Sequence, residues 1–460
     1  MAIDLSVELK TNRGTLVLKN PIVPGSSELA VDEGTVQRCI DNEVGAVLTK
    51  SVGNQTSTEM VKTTAKPWAF PLDKFGPDYK GAWLLQPIFF QPESTPEKVA
   101  ERRIPKWKKM CKDAGVPLIV SICDTTPENW PYLAKLVEDA GADAIEMDAS
   151  CPMAKVDHSV GTDPVCFAEE QWADLEVAKQ IIRGVKAAST VPIGAKLSLF
   201  HNPVAVHAMT WEREGLSFIT GHNALPSTGV FIDPETEAVH GTPGQTGFIA
   251  GPTMVPLSLS RLAHVLKATS VPIFGVGGIY TPADVVRYLL LGCSAVQVCS
   301  AAYYKGHQVF KELVEGLKDW MQRHGYTRIE QFRGKLLEDA ACLKPQWAER
   351  YGYRMQPSEQ GMLLHDLNPQ DVTIRVNMPT CTLCGVCDKI CLYDSIHIDY
   401  EQKVVNLDEQ TCNGCGMCVG LCPENPGTLF LVDKRSGERV WENVGMVETF
   451  KKKATGGYAL

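Results

Sequence analysis

The sequence has no uninterrupted apolar run near the ~18 residues of a membrane-spanning helix. Its opening, MAIDLSVELK, lacks a basic stretch followed by an apolar one. Neither a membrane partner nor export is expected, and the chain is expected in the cytoplasm. Positive charge is not in surplus: 45 Lys and Arg stand against 54 Asp and Glu, a formal net charge of −9. Nucleic acid is therefore excluded as the main partner, because little is left over to neutralise phosphates. No convincing G-x-G-x-x-G follows a strand, so the chain carries no dinucleotide fingerprint of its own. Repeats and low-complexity segments are also missing. With 460 residues, 44% of them hydrophobic, the chain can bury a large core without covalent staples.

Cysteine, by contrast, is abundant and unevenly placed. Eight of the 16 fall between Cys381 and Cys422, and the other eight are scattered singly up to Cys342. In a reducing compartment such a cluster signals metal ligation rather than disulfides. The spacing C-x₂-C-x₂-C-x₃-C occurs twice, as Cys381, Cys384, Cys387, Cys391 and as Cys412, Cys415, Cys418, Cys422. Three thiolates two residues apart wrap one face of a cubane, and the fourth reaches the other cluster. The spacing predicts one [4Fe–4S] cluster on Cys381, Cys384, Cys387 and Cys422, and a second on Cys412, Cys415, Cys418 and Cys391. Pro423 follows the last cysteine as in bacterial ferredoxins, whereas Leu392 takes that place in the first run. Zinc is the alternative, but it prefers two separated C-x₂₋₄-C pairs.

Upstream, eight short apolar runs alternate with helical patterns: 21–25, 45–50, 117–123, 143–150, 192–198, 216–221, 272–278 and 295–300. Strands buried on both faces, eight times over, predict a closed parallel (β/α)₈ TIM barrel rather than an open doubly wound sheet. Thr95-Pro96, Thr126-Pro127 and Thr281-Pro282 read as helix starts, a hydroxyl cap followed by proline at the first turn. The expected domains are the barrel over 1–324, a linker over 325–375, a C-terminal two-cluster ferredoxin-like domain over 376–430 and a tail over 431–460.

Barrel chemistry sits where the strands end. Long connections after strands two, four and six (51–93, 151–167, 222–252) fall on that face. Gly277-Gly278 and Cys299-Ser300 close strands seven and eight, where backbone N–H groups form the phosphate site of such barrels. Lys50 and Lys196 close strands two and five, and a lysine ending an apolar strand is costly unless it meets an anion. Strand four leaves through Asp148-Ala149-Ser150-Cys151-Pro152. A lone cysteine is more often a buried apolar residue, but this one enters a long loop at a strand end.

Together these motifs resemble the dihydroorotate dehydrogenase-like flavoproteins, most of all their iron–sulfur dihydropyrimidine dehydrogenase branch, over about residues 5 to 430. The resemblance implies FMN contacted by Gly25 and Ser26, with Lys50 and Lys196 on its polar edge and ribityl chain. It implies a phosphate cradle of Gly251, Gly277, Gly278, Cys299 and Ser300, and Asn223 meeting both FMN and substrate. Cys151 matches the family's acid–base cysteine, and Lys196 would stabilise charge on the reduced flavin. Three departures fall at substrate-reading positions: Asp148 replaces an asparagine, Met153 a polar residue, and Gln86 another asparagine.

The expected activity is that of an FMN and iron–sulfur oxidoreductase acting on a CH–CH or activated C=C bond of a small polar, cyclic substrate. Electrons would pass through two [4Fe–4S] clusters, and NAD(P)H would act only indirectly, through a diaphorase subunit or a ferredoxin. An oligomer is expected. A dihydropyrimidine or dihydroorotate dehydrogenase proper is one alternative, and a non-catalytic electron-transfer subunit is another.

Overall fold

The computed structural model describes residues 3–53, 68–71, 81–86, 93, 95–150, 154–155, 166–198, 201–223, 225–229, 231–234, 237–240, 247–340 and 372–442. The chain divides into two units near residue 356.

The first unit is a parallel barrel. Its strands are β1 (Ile22–Pro24), β2 (Val47–Leu48), β3 (Leu118–Cys123), β4 (Ala144–Met147), β5 (Ile193–Lys196), β6 (Phe218–Thr220), β7 (Ile273–Val276) and β8 (Ala295–Val298). Each lies within one of the eight apolar runs. They follow the order β1-β8-β7-β6-β5-β4-β3-β2, every pairing parallel. The seam between β1 and β2 is closed by Gly45, whose N–H donates to the Ile22 carbonyl at 2.7 Å. Lys19 N–H donates back to the Gly45 carbonyl at 3.0 Å. A Cβ on Gly45 would sit 1.8 Å from the Asn20 carbonyl oxygen, so only glycine lets the two chain segments meet.

The longer helices of this unit are α1 (Glu33–Asp41), α2 (Ile104–Ala114), α3 (Asn129–Asp139), α4 (Leu175–Ala188), α5 (Val204–Glu214), α6 (Val255–Ala268), α7 (Pro282–Leu291) and α8 (Gln308–Arg323), and a short helix, Pro96–Arg102, precedes α2. α4 shows why they form. Asp174 caps it by accepting from Glu176 N and Val177 N, and Ala178, Ile181, Ile182 and Val185 make one buried stripe at helical spacing. Thr95 and Thr281 are side-chain caps as expected. Thr126 is not: Asp124 Oδ1 accepts its N–H at 2.8 Å in a local turn, and α3 begins only at Asn129.

An N-terminal hairpin, Val7–Thr11 with Gly14–Leu18, precedes β1. Arg13 Nη1 donates to the Ser189 and Val191 carbonyls, and Asn12 Nδ2 to the Gly215 carbonyl. These acceptors lie in the turns leading into β5 and β6, so the hairpin stoppers the N-terminal mouth. At the opposite mouth the connections after β2 and β6 pair with each other. Leu225–Gly229, Gly247–Ala250, Trp83–Gln86 and Trp68–Pro71 form one antiparallel sheet in that order.

Two expected boundaries move. Residues 325–340, assigned to the linker, belong to the barrel, with Ile329 and Phe332 fully buried in its core. Short helical turns (Ile329–Gln331, Leu337–Ala340) carry too few apolar positions to show a period. The second unit is also wider than 376–430. Its three-stranded antiparallel sheet runs Val372–Val376, Leu429–Asp433, Arg439–Glu442, beside a hairpin of Ile396–Asp399 and Val404–Leu407. Val372, Ile374, Ile396, Val419, Leu429 and Leu431 make its core.

Replacing Gly45 with Ala should destabilise the barrel by at least about 2 kcal/mol, since the new methyl cannot avoid backbone. Gly34→Ala in α1, whose Cβ meets nothing nearer than 3.4 Å, should be neutral or slightly stabilising. Thermal unfolding followed by the fluorescence of the buried tryptophans separates the two.

Candidate functional site

The strand ends bring the expected residues together. Gly25, just past β1, donates its N–H to the Val298 carbonyl at 2.9 Å, and a Cβ there would lie 3.1 Å from that of Cys299. Ser26 Oγ is 3.2 Å from Ser51 Oγ, and Ser51 Oγ is 2.9 Å from Ser121 Oγ. Ser51 also donates to Asp148 Oδ2 at 3.4 Å. Asp148 Oδ1 accepts from the hydroxyl of Ser150 at 2.6 Å and its N–H at 3.3 Å. Asn223 Nδ2 then donates to the Ser150 carbonyl at 3.3 Å. Hydroxyls and amides thus link the ends of β1, β2, β3, β4 and β6. Asp148 faces this ladder, with one oxygen taken by the loop it starts. Cys151 and Met153 lie outside the described residues. Gln86 ends a strand of the sheet over this mouth, and its side chain lies outside them too.

The lysines differ. Lys50 Nζ pairs with Glu28 Oε1 at 3.4 Å, and Glu28 Oε2 accepts from Tyr303 at 2.5 Å. Lys196 is 5% exposed and makes no hydrogen bond or ion pair among the described residues. An ammonium so placed calls for an anion.

Gly251, Gly277 and Gly278 all have left-handed φ, of 101°, 114° and 72°. A Cβ on Gly278 would stand 2.8 Å from Val255 N and 2.9 Å from the Gly251 carbonyl. The three glycines bring bare backbone together where α6 begins, a cradle for a phosphate. Cys299 and Ser300 lead the adjoining helix Ser300–Lys305, half-buried beside it. The residues present fit a flavin mononucleotide.

His222 supports this cradle, although its sequence context, between an apolar strand and a loop, does not mark it out. Its Nδ1 donates to the Asn223 carbonyl at 2.7 Å, which leaves Nε2 to accept from Ser258 Oγ at 2.7 Å. Tyr288 donates to the Gly277 carbonyl at 2.5 Å. Burial holds the His222 imidazolium pKa down at about 4.

In the second unit, Cys381, Cys384, Cys387 and Cys422 line one cavity with Val376, Ile398 and Leu429. Burial and the neighbouring Cys384 and Cys381 push the Cys387 thiol up to about 11. Cys418 is raised to about 12 by burial and by Cys387, Cys415 and Cys412. Thiolates crowded in apolar surroundings need a compensating cation. Among the described residues no three His, Cys, Asp or Glu side chains close to the spacing of a single metal ion.

A parallel barrel whose mouth offers a phosphate cradle and a buried ammonium belongs with the flavin-binding β/α barrels. Residues 8–321 match the family model described as dihydroorotate dehydrogenase, and the chain belongs to that family. Residues 380–425 match a 4Fe-4S dicluster domain. Similar proteins include the catalytic subunit of dihydroorotate dehydrogenase B (NAD(+)) of Pyrococcus abyssi. It is 25% identical over 72% of this chain and 99% of its own, which leaves more than a quarter of this chain without a counterpart there. The proteins of the same name from Pyrococcus furiosus and Methanothermobacter thermautotrophicus are 26% and 33% identical, over 69% and 48% of this chain and 95% and 69% of theirs. The protein is a flavin and iron–sulfur oxidoreductase acting on CH–CH donors. Among the described residues no helix is long and apolar enough to cross a membrane.

The neutrality of His222 has a pH signature. Its folded pKa of about 4 lies below the usual 6.5. Between those values the unfolded chain takes up a proton that the folded barrel refuses. Stability from this group is complete above pH 6.5 and is lost as the pH falls toward 4, by about 3 kcal/mol. Thermal unfolding from pH 7.5 to 4.5 should show this loss, and His222→Gln should flatten it relative to wild type.

Proposed function

We propose that the protein reduces, or forms, an activated C=C bond in a small polar, cyclic substrate at the barrel mouth, and exchanges single electrons with an outside protein. The observation that carries this reading is Lys196, a buried ammonium without a partner among the described residues, at the mouth that also holds the three-glycine cradle. FMN bound there supplies hydride chemistry at its N5, and two [4Fe–4S] clusters supply one-electron transfer.

The chain's own residues do the rest. Gly251, Gly277, Gly278, Cys299 and Ser300 hold the phosphate, Gly25 and Ser26 border the ring, and Lys50 and Lys196 compensate negative charge. Cys151 exchanges a proton with the substrate carbon; a thiol of ordinary pKa near 8.5 is mostly protonated at neutral pH and suits the reductive direction. Asn223 and Asp148 contact the substrate, with Gln86 beside them. Cys381, Cys384, Cys387 and Cys422 ligate one cluster, and Cys412, Cys415, Cys418 and Cys391 the other. The partner is a NAD(P)H diaphorase subunit or a ferredoxin, in keeping with relatives named as catalytic subunits, within a cytoplasmic oligomer.

Anaerobically purified protein should hold about eight iron, eight sulfide and one FMN per chain; zinc in place of iron overturns the cluster half. Cys151→Ala should keep every cofactor and lose turnover by about 10²–10⁴-fold, with the reductive half-reaction intact. Unchanged turnover would make Cys151 a packing residue.

A second reading, oxidation of dihydroorotate itself, is favoured by the names of the relatives. Asp148 separates the two. Asparagine offers a pyrimidine amide edge both a donor and an acceptor, whereas an aspartate carboxylate only accepts, at a mismatch cost of about 1–3 kcal/mol when buried. Asp148→Asn fits the same space, since Oδ1 can still accept from Ser150. The variant should gain activity on uracil or orotate while losing the native reaction. Efficient use of either by wild type, with the ranking unmoved in the variant, would overturn Asp148 as the selector.

A further inference from the structure

Glu146 is the one charged residue of strand β4 (Ala144–Met147), two positions before Asp148, and it is fully buried. Its register partner on β5 is Gly194, which has no side chain. The next position on that face of β5 is Lys196, paired with Thr220 of β6. The carboxyl therefore stands in the layer of the barrel interior beneath the ammonium. Thr220 Oγ1 donates to Glu146 Oε2 at 2.6 Å, and Gln297 Nε2 from β8 donates to the same oxygen at 2.6 Å. Glu146 Oε1 has no hydrogen-bond partner among the described residues.

Two donors on one oxygen and none on the other leave an ionised carboxylate poorly solvated in dry protein. On a neutral acid the same 2.6 Å contact can run from the carboxyl O–H to Thr220 Oγ1. The titratable groups facing Glu146 are Lys196 on β5 and Asp148 on its own strand; Thr220 and Gln297 carry no charge. Burial raises the Glu146 carboxyl above its usual range, and Lys196 opposes this only in part.

We propose that Glu146 is a positioning residue for Lys196: as a neutral acid it ties β4, β6 and β8 together beneath the ammonium and leaves that charge undivided for the anion above. The inference rests on the flavin reading of the site. An ionised Glu146 would share the lysine's charge, and an apolar residue there would take from Thr220 and Gln297 their shared acceptor, leaving only the 3.2 Å contact between them.

Wild type, E146Q, E146L, K196M, the E146L/K196M double variant and T220V are stripped of FMN and titrated with it from pH 6 to 9. Iron content and thermal midpoint serve as checks on the fold. An infrared difference spectrum of wild type against E146Q reads the carboxyl proton independently of flavin. The expected results are a carboxylic-acid carbonyl band at neutral pH and E146Q binding FMN within about threefold of wild type at every pH. E146L should bind at least tenfold more weakly, and the double variant within about threefold of K196M, because the effect runs through the lysine. T220V weakens binding in the same direction and serves if E146L does not fold. Absence of the band, E146Q as weak as E146L, or multiplying effects of E146L and K196M would each overturn the proposal. If wild type itself takes no FMN, the flavin reading falls and the positioning role falls with it, while the infrared band still decides the protonation of Glu146.

Discussion

A buried cation without a hydrogen bond or ion pair among the described residues is the constraint around which the barrel mouth is built. Desolvating an ammonium costs several kcal/mol, and a barrel tolerates that cost only where a ligand or a polar frame offsets it. Lys196 sits at such a point. Around it the strand ends place hydroxyls, amides and glycine backbone rather than carboxylates, apart from Asp148, which Ser150 partly occupies. Lys50 pairs with Glu28, which Tyr303 also holds, so the two lysines are not equivalent. One is held by a carboxylate, and the other has no ion pair among the described residues.

The polar frame is built by register. Ser26, Ser51, Ser121 and Asp148 come from four neighbouring strands or the turns just past them, and their side chains meet across those strands. The same logic stacks Glu146 under Lys196 and fills the space left by Gly194 with the ring of Phe218. His222 and Tyr288 do for the glycine backbone what the serines do for the strand ends: each takes a carbonyl or hydroxyl of a neighbouring turn and fixes its direction.

The barrel was legible because its signals are local. Strands buried on both faces read as short apolar runs, and all eight appear where those runs lie. The glycine pair and the cysteine spacings are local too. The serine ladder was not legible, since a serine's role depends on which residues face it across strands as many as 97 positions away. Glu146 did leave a mark, a carboxylate inside DAIEMDAS, but only its register with Gly194, two positions before Lys196, brings the ammonium into view of it. Thr126-Pro127 misled because Asp124 captured the threonine's N–H first. The boundary near 325 misled because Ile329 and Phe332 pack from turns too short to show a period.

The stopper hairpin ties the order of synthesis to the finished shape. Arg13 finds its acceptors at Ser189 and Val191, and Asn12 finds its own at Gly215, across 176, 178 and 203 positions of chain. A ribosome adding about 5–20 residues per second needs on the order of ten to forty seconds to supply them. Until then the first strands of the barrel are made but their floor cannot be laid. The hairpin can zip locally, since its own two strands are neighbours in sequence, and it then waits as a preformed plug. Docking of that plug is a late event that reports completion of the middle of the barrel, and non-local closure of this kind is what slows folding in proteins of high contact order.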